Sequence, residues 1–114
     1  RSRLRRGGLE RDRIAPVPNG VVRLEGSVVL YESDRGQSWA VVLVRSAELS
    51  GEAGVTLSSE QAPASGTVDL RPMTFDEDGL ASTWIVTPSL DAYDTVTLWQ
   101  PRGHVLARAV VEEP

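Results

Sequence analysis

The chain of 114 residues contains no cysteine and no lysine, a single histidine, one methionine and one phenylalanine. Without cysteine there are no disulfides, no thiol nucleophile and no Cys-ligated zinc, and the redox compartment cannot be read. One histidine alone excludes His/Cys metal spacing. No run approaches the ~18 consecutive apolar residues of a membrane span. The glycines give no phosphate cradle, because Gly7-Gly8 and Gly51/Gly54 lack a strand–glycine–helix context. Basic and aromatic residues do not alternate in the manner of an RNA-stacking sheet.

What is present is an ordinary globular composition, with 40% apolar and 25% charged residues. The length suits one domain with a modest core. All 12 basic residues are arginine, which fits a GC-rich genome. The chain does not begin with Met, which suggests an excised or processed piece of a larger protein.

Charge is unevenly placed. Residues 1–13 hold Arg1, Arg3, Arg5, Arg6, Arg11 and Arg13 against Glu10 and Asp12, a net of +4. Residues 14–114 hold six arginines against fourteen acids, a net of −8. An acidic body repels phosphate, so the folded part is not expected to bind nucleic acid. Gly7-Gly8, Pro16, Pro18 and Asn19-Gly20 interrupt regular structure. Residues 1–20 are therefore expected to form a flexible basic arm and linker, and residues 21–114 the domain. The six arginines are the candidate partner-binding residues.

From residue 21 the text changes to short β-branched runs. VVRLEG and SVVLYES flank Gly26, and residues 34–36 read as a hairpin turn before SWAVVLVR at 38–45. That longest apolar run predicts a central, well-buried strand. SAELSGEAG at 46–54 reads as a polar connection. VTLSS at 55–59 and TVDLRPM at 67–73 read as strands, the second alternating with Val68 and Leu70 inward. Pro72 places its end at an edge or bulge. LASTWIV at 80–86 is expected to return as its partner across the turn DEDG. TVTLW at 95–99 and HVLARAVV at 104–111 flank QPRG and form the clearest hairpin. About seven strands, with turn signals every 8–12 residues and little helical periodicity, predict an all-β antiparallel sandwich. Trp39, Trp84 and Trp99 sit among aliphatic neighbours and are expected to be core or half-core residues.

Candidate chemistry is sparse. His104 lacks a nucleophile-elbow motif to support a Ser-His-Asp arrangement. Asp76, Glu77 and Asp78 before Gly79 could offer oxygen ligands to a hard cation, but match only the end of an EF-hand loop. The same residues suit a hairpin turn, and Asp91 and Asp94 suit another. No cofactor, catalytic residue or enzymatic activity is expected.

The pieces SWAVVLV at 38–44, DEDG at 76–79, YDTVTL at 93–98 and PRG at 101–103 resemble the C-terminal extracytoplasmic domain of membrane-bound anti-sigma factors, typified by the anti-sigma-K regulator of actinobacteria. The resemblance covers about residues 26–110. It implies a β-sandwich sensory domain of a membrane-anchored transcription regulator, acting by protein binding outside the cytoplasm. Six arginines beside a membrane would instead favour the cytoplasmic side. The alternative is a small structural or assembly subunit, docking a protein partner through its basic arm and a sheet edge.

Overall fold

Side chains of an extended chain alternate between two faces. The alternation in this sequence builds nine strands in a computed structural model describing residues 3–11, 23–33, 35–60, 66–87, 92–100 and 104–112. They are β1 (Arg3–Arg11), β2 (Glu25–Glu32), β3 (Ser38–Arg45), β4 (Glu52–Ser58), β5 (Val68–Asp69), β6 (Met73–Thr74), β7 (Leu80–Thr87), β8 (Thr95–Gln100) and β9 (His104–Val110). There is no helix among the described residues, and every pairing is antiparallel. The all-β sandwich expected from the sequence is the fold.

One sheet runs β1-β2-β3-β7 and the other β5-β4-β8-β9. The short strand β6 pairs with the start of β4. Strand β1 belongs to both layers. Its first seven residues pair with β2 from Glu32 to Gly26, and Glu10 and Arg11 then pair with Arg108 and Ala107 of β9. Reciprocal backbone bonds between Arg6 and Glu112, 2.9 Å each, tie it further to the second layer.

This corrects the arm reading over residues 3–11. The glycines taken as breakers permit the strand instead. A Cβ at Gly7 would lie 2.8 Å from the Val110 carbonyl oxygen, so the backbones approach only because position 7 has no side chain. The rest of the expected arm and linker, 12–20, and the two terminal residues, lie outside the described residues.

Between the layers sit Val28, Leu30, Ala40, Val42, Val44, Val55, Leu57, Val96, Leu98, Leu106 and Ala107, all buried. Burying each large aliphatic side chain contributes roughly 1.5–3 kcal/mol. Val68 and Leu70 face inward as expected, with Asp69 and Arg71 exposed. The 95–99/104–111 hairpin is present as β8–β9, with an irregularity between Leu98 and Trp99.

Three expectations change. The run 80–86 does not pair back onto 67–73: β7 pairs with β3 along all eight residues. The polar connection 46–54 ends early, since β4 begins at Glu52. Strand β3 is buried on one face only.

Candidate functional site

Among the described residues the outer faces of the two sheets differ: the second exposes one large apolar side chain, Val110, and the first a contiguous group of them. On the second sheet, one cross-strand row reads Asp69, Thr56, Thr97, Arg108. It is knitted by hydrogen bonds. Trp99 Nε1–H donates to Thr56 Oγ1 at 3.0 Å, and the Thr56 hydroxyl donates to Asp69 Oδ1 at 2.8 Å. This row is tied together by its own polar side chains.

On the first sheet, the register aligns Val29, Val41 and Trp84 in one row behind Arg6. The neighbouring row is Leu4, Tyr31, Trp39 and Val86. Leu43 follows between Ser27 and Ser82, and Leu80 lies beside Arg45. Val41, Leu43, Leu80, Trp84 and Val86 are all exposed, Trp84 by 61% and Leu43 by 47%. Single exposed apolar residues are ordinary, but contiguous rows of them mark an interaction surface. The Tyr31 and Trp39 rings meet at 5.3 Å with a 38° tilt, stiffening one margin of the patch.

The strand sequence explains the face. SWAVVLVR has apolar residues on both of its sides. That pattern predicts a central, well-buried strand. Here one side meets the core through Ala40, Val42 and Val44, and the other meets solvent through Val41 and Leu43. Trp84 likewise departs from the core reading. Trp39 and Trp99 are half-buried as expected. The signal that could have found the face was therefore present, in the failure of 38–45 to alternate apolar with polar.

The acidic turn is organised from within. Asp76 Oδ1 accepts from the backbone N–H groups of Asp78 at 2.8 Å and Leu80 at 2.9 Å. The Asp76 N–H donates to the Leu80 carbonyl at 2.9 Å, and Gly79 N–H donates to the Asp76 carbonyl at 3.0 Å. Asp76, Glu77 and Asp78 are exposed. Among the described residues no three metal-ligating side chains come together. Asp94 serves a different junction: its Oδ1 accepts from Glu60 N–H at 3.1 Å and from the Thr95 hydroxyl at 2.9 Å. Asp91 lies outside the described residues.

Of the six candidate arginines, Arg6 is exposed at the margin of the apolar face. Arg3, Arg5 and Arg11 have their backbones in β1, and Arg1 and Arg13 lie outside the described residues. His104 opens β9 opposite Gln100. No family model matches this chain, and no curated protein is significantly similar to it.

Proposed function

We propose that this chain is a non-catalytic interaction domain that binds another protein through the outer face of the β1-β2-β3-β7 sheet. The observation that carries the reading is the contiguous exposure of Val41, Leu43, Leu80, Trp84 and Val86 on one sheet, against the polar outer row of the other. A rigid sheet holds these side chains in place, so little conformational entropy is lost on docking. An exposed tryptophan with aliphatic neighbours is the composition of an interface hot spot.

The resemblance to anti-sigma regulators supplies a setting. In it, this is the outer sensory domain of a membrane-anchored bacterial regulator, and partner binding is relayed to a transcription-regulating part of the same protein. The assembly-subunit reading draws on a separate feature, the edge of β7, which pairs with no further strand among the described residues.

A photo-crosslinking residue placed at position 43 tests the proposal in the source organism. A defined protein captured from position 43 but not from position 108, on the opposite sheet, supports it. Equal capture from both, or none from either, overturns it.

A further inference from the structure

We infer that the exposed edge of β7 is a second recognition element, which takes up an extended, basic segment of a partner protein as an added strand. This rests on the protein-binding reading above and adds the class of ligand.

The two ends of the sheet path among the described residues are unlike. At one end β5 has two residues and is followed by Pro72, so little ladder is offered. At the other, β7 reads LASTWIVT, with no charge, proline or glycine in eight residues. Natural edges of that length are usually blunted by charge, proline or a bulge. Among the described residues β7 pairs with β3 alone.

The direction of its backbone groups follows from the turn. Leu80 directs both its N–H and its C=O to Asp76, away from β3, whereas the Gly79 carbonyl accepts from Ser46 N–H at 2.8 Å. In an antiparallel pair this alternates. Ser82, Trp84 and Val86 therefore also aim their N–H and C=O groups outward. Five residues of edge thus offer three donor–acceptor pairs to an incoming strand.

A groove of about 450 Å³ flanks that edge, lined by Asp69, Leu70, Arg71, Trp84, Ile85 and Val86. Thr83 holds its far wall in place, donating to the Arg71 carbonyl at 2.5 Å. An added strand would lie ~4.8 Å from β7 and send alternate side chains to opposite sides. One set would meet Leu70 and Ile85 in the groove, and the other would extend the Trp84/Val86 row. Apolar residues at alternate positions suit both.

Charge selects the occupant. Asp69 on the groove wall and Asp76, Glu77 and Asp78 at the start of β7 outnumber Arg71 and the cross-strand Arg45, and the whole chain carries −4. A second copy brings the same sign, whereas a basic segment is attracted. This is strand addition, in which main-chain bonds give affinity and alternate side chains give selectivity.

Amide hydrogen exchange of the intact chain tests the site, with a blocked hexapeptide of alternating lysine and valine as the probe. The amides of Ser82, Trp84 and Val86 should exchange fast in the dilute protein and slow by about tenfold or more with saturating peptide. The effect should vanish when the peptide is N-methylated so that it cannot donate, and in Val86→Pro, which removes an outward donor. Ser82→Pro is the second variant should Val86→Pro not fold. Slow exchange of these amides in the free dilute protein overturns the site, because the edge is then satisfied within the chain. Protection that rises with protein concentration overturns the occupant in favour of a second copy. Equal protection by a glutamate–valine peptide overturns the charge selection. Failure here with capture at position 43 intact removes the edge site and leaves the sheet face standing. The reverse result removes the face and leaves the edge.

Discussion

Trp99 lies across Gly54, its cross-strand partner, so that a Cβ at position 54 would collide with the six-membered ring of the indole. The contact buries the glycine on the outer side of β4, and the indole N–H is anchored on Thr56. Gly54→Ala must push the ring away and disturb that hydrogen bond. A loss of about 1–3 kcal/mol is expected, as for overpacking of a filled site. Urea unfolding followed by Trp99 fluorescence, with Trp39 and Trp84 replaced by Phe, measures it; an unchanged midpoint would contradict the contact.

The acidic turn is expected to act as a structural cap. Asp76→Ala removes the acceptor for two backbone N–H groups and should cost about 1–2 kcal/mol. Asp76→Asn, which keeps an oxygen there, should retain most of the stability. Calcium at millimolar levels should leave the melting temperature unchanged, and a clear rise with calcium would restore the cation reading.

Gly79→Ala should be more damaging than its exposed neighbours suggest. Position 79 has φ of 79°, and a Cβ there would strike the Ser46 carbonyl oxygen. The left-handed backbone alone costs about 1–2 kcal/mol for a residue with a Cβ, and the clash adds to it. Chemical denaturation should show the loss in this variant and not in Glu77→Ala, which should be nearly neutral; equal midpoints would contradict the account of position 79.

Strand β1 should prove essential to stability. It pairs with β2 and β9, so its removal exposes backbone in both layers. A chain lacking residues 1–11 should be unfolded or strongly destabilised, with loss of the β-sheet circular dichroism signal. Full stability without it would restore the arm reading.

Core and face should respond oppositely. Leu98→Ala, at a fully buried position, should cost about 2–5 kcal/mol. Trp84→Lys, at an exposed one, should change stability by about 1 kcal/mol or less. Equal losses at both sites would mean that Trp84 is packed.

The class of fold was legible because period-two alternation and turn residues are local signals. The alternating run 67–73 and the β8–β9 hairpin carry them within a few residues. Strand β1 was not legible, because Leu4 and Leu9 alone give no alternation and Gly7-Gly8 reads as a break. Only the distant Val110 backbone shows why position 7 lacks a side chain. The pairing of β7 with β3 was equally hidden, since residues 46–79 separate them in sequence. The apolar face was half legible. The run 38–45 shows two apolar sides, but whether the second side is covered depends on what packs over it.

The protein-docking role of the β1-β2-β3-β7 face is tested most directly by measuring the affinity of the partner captured at position 43 for the intact chain and two variants. Leu43→Arg should weaken binding by about a hundredfold, near 2.8 kcal/mol, with stability unchanged. Arg108→Ala, on the opposite outer face, should leave the affinity within about twofold. Equal weakening by both, or no change with Leu43→Arg, would contradict a docking role for this face.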